Sequence, residues 1–184
     1  MEDKTRICPV EYSGSLDNKW RKWFQNPQKI LAPYLKPGMK VLDIGCGPGF
    51  FSIEIAKMIG ENGKVYSVDL QEGMLNIIKN KIAGTELESR IQLIKSSEDG
   101  FYIPEKVDFI LAFYMMHEVP DKENLFSLLK SFLNDNGKFL FIEPTLFHVS
   151  KKEFESSLQK AVNAGFKVAD GPKLTFSHSA VLYN

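Results

Sequence analysis

The chain has 184 residues, which suits one domain at the usual span of roughly 100–200 residues each. Apolar residues make up 43% and charged residues 25%, the balance of a globular protein with a full core. The 23 basic and 23 acidic side chains cancel, so no strong field recruits nucleic acid, and a small substrate is expected instead. No charged apolar leader and no run of about 18 apolar residues occurs, so the expectation is a cytoplasmic protein without a membrane span. Cys8 and Cys46 are too few and too far apart for a disulfide framework or a zinc site.

In chain order, residues 1–36 precede the first strand and form a helical cap or lid segment. Ser15-Leu16-Asp17 starts a helix that carries Trp20, Trp23 and Phe24, and a second short helix covers 28–34. Their apolar side packs on the main domain, or walls its pocket together with Tyr12. The main domain, 37–184, begins at a Lys36-Pro37-Gly38 turn. A strand over 39–44 leads through glycines 45, 47 and 49 to a helix over 50–59. Gly60 and Gly63 stop that helix, and a strand over 64–69 ends on Asp69. A helix over 72–82 and a strand over 91–94, buried by composition, follow. Next come a strand over 107–113, a helix over 122–133 and a strand over 138–142. Ser150 with Glu153 reads as a capping box for a helix reaching about residue 163. Strands over 165–169 and 180–183 close the chain.

Strands alternating with helices imply a parallel sheet covered on both faces, with ligands beyond the C-terminal strand ends where the strand order reverses. At the tip of the first strand the sequence is Val41-Leu42-Asp43-Ile44-Gly45-Cys46-Gly47-Pro48-Gly49-Phe50. Glycines at these positions let a ligand approach the backbone closely. The spacing is G-x-G-x-G, whereas a dinucleotide fold takes G-x-G-x-x-G. Asp43, two residues before the first glycine, would repel a pyrophosphate and suits a cationic ligand.

With Asp69 at the tip of the next strand, 20 residues after Gly49, these stretches resemble motifs I and II of the class I S-adenosylmethionine (SAM)-dependent methyltransferases. The resemblance runs from about Lys40 to the C-terminus. It implies a single-domain, Rossmann-like α/β fold with a seven-stranded sheet in the order 3-2-1-4-5-7-6, strand seven antiparallel, and helices on both faces. It also implies SAM as cofactor. Asp43 and the backbone from Gly45 through Cys46 and Gly47 to Gly49, with Phe50, would receive the methionine half, and Asp69 the ribose. Leu70 and Met74 would cover the adenine faces, unless they are ordinary core. Ser96 stands where many family members carry an adenine-binding Asp; Glu98, Asp99 or the Ser97 backbone N–H are alternatives. Ala112 completes the implied cofactor set.

Methyl transfer from a sulfonium needs alignment, exclusion of water, and a base only when the nucleophile must lose a proton. The stretch His117-Glu118-Val119-Pro120-Asp121 follows strand four in the family's H-x-x-P-D register. His117 is the candidate catalytic base or substrate orienter, with Glu118 or Glu143 as partner; it could equally pack or cap the next helix. His148 and His178 are the other histidines on the active side. The N-P-P-Y signature of exocyclic amine methylation is absent, and the post-strand loops are aromatic and apolar. The acceptor is therefore expected to be a small, partly apolar molecule with an O, S or C nucleophile, on a monomer or homodimer with no metal. Two stretches, Val68 to Leu75 and His117 to Asp121, are similar to the quinone-biosynthesis methyltransferases. A SAM-binding protein without turnover is the alternative reading.

Overall fold

The computed structural model describes residues 25–97, 100–145 and 149–184. Tyr12, Trp20, Trp23, Phe24 and Cys8, together with Glu98, Asp99 and His148, lie outside these residues. The first element is a short helix α1 (Pro27–Leu31), which Asn26 caps through its side chain with Pro27 at the first helical position. Asn26-Pro27 thus starts a helix, as proline's fixed φ favours. Ile30 and Leu31 are buried, and the Tyr34 ring stacks on Phe109 at 5.6 Å.

Next come β1 (Lys40–Ile44), α2 (Phe50–Ile59), β2 (Lys64–Asp69), α3 (Glu72–Ile82), β3 (Ile91–Lys95) and β4 (Val107–Phe113). A 3-10 turn (Met116–Glu118), α4 (Lys122–Phe132), β5 (Leu133–Pro144), α5 (Lys151–Asn163), β6 (Lys167–Asp170) and β7 (Ser177–Tyr183) complete the chain. The strands form one seven-stranded sheet in the order β3-β2-β1-β4-β5-β7-β6. β7 runs antiparallel to both β5 and β6, and the remaining pairs are parallel. This is the Rossmann-like arrangement the motifs imply. The order reverses between β1 and β4, so a crevice opens at their C-terminal ends.

Strand alternation sorts the core onto two faces. Val41, Phe109, Leu111, Leu140 and Ile142 join the cluster under α1, α2 and α3. Leu42, Ile110, Ala112, Phe139 and Phe141 join the cluster under α4 and α5. Phe126 of α4 anchors the second cluster, its ring 5.9 Å from Phe141, 6.2 Å from Phe139 and 6.4 Å from Phe166.

The burial of β3 and the starts of three strands, β5, β6 and β7, differ from the sequence reading, each for a physical reason. β3 is an edge strand in which only Ile91 is buried, so its apolar composition does not mean burial on both faces. β5 starts at Leu133, but the pairing jumps from Val107↔Leu133 to Phe109↔Lys138. Residues 134–137 are thus an irregularity within the strand, where turn residues had suggested a separate loop. Gly165 belongs to the end of α5: its N–H bonds Val162 O, the Phe166 N–H bonds Ala161 O, and φ is +93°. That is a Schellman ending, which wants glycine, and it delays β6 to Lys167. β7 begins at Ser177 because it pairs with β5 as far as Pro144; its half-buried Ser-His-Ser start carries no apolar signal. The capping box forms as expected: the Glu153 N–H donates to Ser150 Oγ (3.2 Å) and the Ser150 N–H to Glu153 Oε2 (2.8 Å).

Phe126→Ala empties the centre of the second cluster and should cost about 3–5 kcal/mol, whereas Ser150→Ala should cost about 1 kcal/mol. Urea unfolding monitored by circular dichroism gives both values, and their order is the expected result.

Candidate active site

The crevice at the strand ends is a cavity of about 1540 Å³. That exceeds the roughly 300–1,000 Å³ of a pocket for one drug-sized ligand, so it has room for a cofactor and a second molecule. Its floor is the β1–α2 loop. Gly45 sits there with φ +66°, and a Cβ on it would lie 2.6 Å from the Cβ of Met115. Only glycine lets the post-β4 loop pack this closely on the loop after β1. A Cβ on Gly47, by contrast, would meet nothing within 4 Å, so that side faces open space.

Asp43 is buried, 2% exposed, and lines the cavity. Its Oδ2 accepts from Ser52 Oγ at 2.5 Å, and Ser67 Oγ donates in turn to Ser52 Oγ at 2.9 Å. This buried relay fixes the carboxylate at the end of β1. Neither serine figured in the motif reading, although a serine inside the apolar run Val65-Tyr66-Ser67-Val68 is the kind of anomaly that marks a buried polar contact. Asp69 is held by backbone donors: the Gly47 N–H reaches Oδ2 at 2.9 Å and the Gln71 N–H reaches Oδ1 at 2.8 Å. Burial outweighs these bonds and raises the Asp69 pKa above the ordinary aspartate value. Two acids in one half-enclosed apolar cleft make a site for a cation with hydroxyls nearby.

The loop supplies shape more than donors. The N–H groups of Gly45 and Cys46 both bond Val68 O, that of Gly47 bonds Asp69, and that of Gly49 bonds Cys46 O. Burial, then Asp43 and Asp69, push the Cys46 thiol well above its usual pKa, which keeps it protonated and unreactive. Phe50 lines the cavity. So do Leu70, 40% exposed, and Met74, which is buried but belongs to neither core cluster. Both are therefore cavity wall. Ser96 and Ser97 also face the cavity, but the Ser97 N–H and hydroxyl both bond Gly100 O, at 2.9 and 3.1 Å. The Ser97 N–H is thus committed to Gly100 O, while Ser96 lines the cavity beside it. Ala112 does not line the cavity. Being even-numbered in β4, it points into the second core cluster, and its neighbour Phe113 reaches the cavity instead.

His117, on the 3-10 turn, also lines the cavity. Its Nδ1 lies 2.9 Å from Oε2 of Glu143, a buried residue at the end of β5 whose Oε1 accepts the Met116 N–H at 3.1 Å. With a carboxylate accepting the hydrogen bond from Nδ1–H, the lone pair of a neutral imidazole lies on Nε2. Glu143, one of the two partners considered, is thus in contact with His117. Asp121 accepts the Asn124 N–H at 3.0 Å and caps α4. His178 stacks on Phe154 at 5.1 Å and is not among the lining residues. Among the described residues, no three His, Cys, Asp or Glu side chains converge as a metal site would need, and no helix is long and apolar enough to cross a membrane.

Fold and site define a class: a doubly wound α/β protein with an acid-floored cleft for a cationic nucleoside cofactor. A family model described as a methyltransferase domain matches residues 35–175. A SAM-dependent methyltransferase from Aquifex aeolicus superposes with a TM-score of 0.82 at 28% identity, covering 96% of this chain and 98% of that one. Demethylmenaquinone methyltransferase of Bacillus mycoides is 29% identical over 144 residues, 78% of this chain and 58% of that one. The enzyme of that name from Lactobacillus johnsonii is 30% identical over 129 residues, 68% and 50% respectively. The chain thus spans between half and three-fifths of the length of these curated relatives. It belongs to the methyltransferase domain family, and its fold and cofactor are those of the SAM-dependent methyltransferases.

Because Asp69 must be ionised to attract a cation and to accept from hydroxyls, SAM affinity should fall as pH drops through its raised pKa, at a pH above the ordinary aspartate value of about 3.9. Calorimetric titration across pH checks this. Asp69→Asn should bind weakly at every pH and lose the dependence.

Proposed function

We propose that this chain transfers a methyl group from SAM to an O, S or C nucleophile on a small, partly apolar molecule. The observation that carries the reading is that one cavity is lined both by the acids Asp43 and Asp69 and by His117, whose Nδ1 lies 2.9 Å from Glu143 Oε2. When bound, SAM supplies a methyl group already activated by the sulfonium charge.

The chain's own residues do the rest. Asp43, held by Ser52, and Asp69, held by Gly47 and Gln71, give the cofactor one orientation. Leu70 and Met74 form apolar wall, and Ser96 offers a polar side chain after β3. Apolar and aromatic walls, including Phe113, Tyr114 and Met115, exclude water from the acceptor half. His117 accepts the acceptor's proton at Nε2, and Glu143 holds the tautomer that makes this possible and stabilises the resulting imidazolium. The arrangement follows the acid–histidine logic of the hydrolytic triads, with an acceptor hydroxyl, thiol or acidic C–H where the serine would be. The demethylmenaquinone methyltransferases among the relatives support an acceptor of low polarity.

The test is release of S-adenosylhomocysteine from SAM in the presence of phenols, thiols and quinols. With an active acceptor, His117→Ala should lower kcat by about 10²–10⁴-fold and leave the SAM affinity unchanged. Glu143→Gln would present an amide N–H to Nδ1 and impose the wrong tautomer, so it should lower kcat in the same direction. An unchanged kcat in His117→Ala would remove the base from the mechanism, and release with no acceptor of any class would remove the methyl-transfer reading.

A further inference from the structure

Among the described residues, two that are not glycine hold a left-handed backbone: Tyr114 at φ +59° and Phe176 at φ +58°. Bulky side chains rarely adopt this region, and they keep it only where the surroundings over-determine it. Both residues line the cavity. Phe176 is the third residue of a turn in which the Ser177 N–H reaches Leu174 O at 3.4 Å, a place where positive φ ordinarily selects glycine or asparagine. Its ring is nonetheless 59% exposed, so burial gives the fold little reason for a phenylalanine there.

A chain of hydrogen bonds holds the two positions together. Gln25 Nε2 donates to the Tyr114 hydroxyl at 2.9 Å, that hydroxyl and Ser177 Oγ are 2.5 Å apart, and Ser177 Oγ reaches Thr175 O at 3.4 Å. Read from amide to carbonyl, each hydroxyl donates once and accepts once. The Tyr114 hydroxyl is therefore used within the protein, and the ring is what it offers to the cavity. That ring continues an aromatic row, 4.3 Å from Phe113, which lies 4.4 Å from Phe51. On the other side the Phe176 carbonyl accepts the Thr145 N–H at 2.9 Å, which ties the turn to the end of β5 just past Glu143. The strained pair thus belongs to the His117 half of the cavity.

We propose that Tyr114 and Phe176 are the specificity-determining walls for the methyl acceptor, and that the Tyr114–Ser177 hydroxyl pair is the device that positions them. The proposal rests on the methyl-transfer reading of this cavity. The acceptor class it names is a flat conjugated ring, because aromatic faces reward a π partner beyond the area it covers. A saturated ring of the same carbon skeleton would fill the space without that gain.

The experiment uses the full chain, with S-adenosylhomocysteine present and absent, titrated calorimetrically with naphthol and with decalinol, its fully hydrogenated counterpart. Naphthol should bind at least about fivefold tighter than decalinol. Phe176→Gly, which relieves the positive φ, should not lower Tm and should leave SAM affinity unchanged while weakening naphthol about fivefold and erasing the preference. Tyr114→Phe and Ser177→Ala should each weaken naphthol by about threefold, and Ser177→Thr, which keeps the hydroxyl, should restore it. Equal affinities for the two probes, no binding of either, or a Phe176→Gly variant that binds naphthol like the parent would overturn the proposal. A parallel titration with SAM reports on the parent reading separately: loss of SAM binding condemns the methyltransferase site, whereas SAM binding without ring preference condemns only these walls.

Discussion

A carboxylate taken out of water must be held by donors, and Asp69 is held by the backbone of the loop it faces. Its Oδ2 accepts the Gly47 N–H at 2.9 Å and its Oδ1 the Gln71 N–H at 2.8 Å, so one side chain ties the loop after β1 to the start of α3. Asp43 is fixed from behind by Ser52 and Ser67, which places the second acid beside the first. Much else at the strand ends depends on this pair of anchored acids. The loop between them has spent its own donors on Val68, Asp69 and Cys46, so it presents a contour and a negative field. A cation bearing hydroxyls fits such a surface, and a pyrophosphate does not.

The other half of the cavity is built from the ends of β4, β5 and β7. His117 and Glu143 meet because β4 and β5 are adjacent parallel strands, which bring the loop after one beside the last turn of the other. β7 returns antiparallel along β5, so its first residue, Ser177, arrives at the same rim and meets Tyr114. Antiparallel pairing at the end of an otherwise parallel sheet thus has a functional consequence: it delivers a turn, with Phe176 on it, to the side where the C-terminal strand ends open. Tyr114 and Phe176, both lining the cavity, hold positive φ, which bulky residues keep only where the surroundings over-determine it.

Much of the fold was legible because its signals are local. Apolar runs bounded by glycine or proline marked β1, β2 and β4, and helical periodicity marked α2, α3 and α5 at their observed bounds. Errors came where hydrogen bonding, and not residue type, set the boundary. Gly165 was read as the start of a strand but ends α5, since a Schellman motif is defined by bonds back into the helix. The beginning of β7 was missed because its pairing with β5, and not its hydropathy, makes it a strand. Ala112 was placed with the cofactor, yet side-chain alternation along β4 turns it into the core and Phe113 toward the cavity.

The sequence by itself determined the class of protein: three glycines spaced G-x-G-x-G after a strand, with an acid before them and another at the next strand end, constrain backbone shape and charge within about thirty residues. Such constraints are written in consecutive positions and need no knowledge of the sheet. Only the tertiary structure decided which side chains meet at the ends of β4, β5 and β7. His117 and Glu143 are 26 residues apart, and Tyr114 and Ser177 are 63 apart; their meeting depends on strand order and direction. The left-handed φ of Tyr114 and Phe176 likewise has no signature in residue type, because both residues ordinarily avoid it and are kept there by hydrogen bonds from distant parts of the chain.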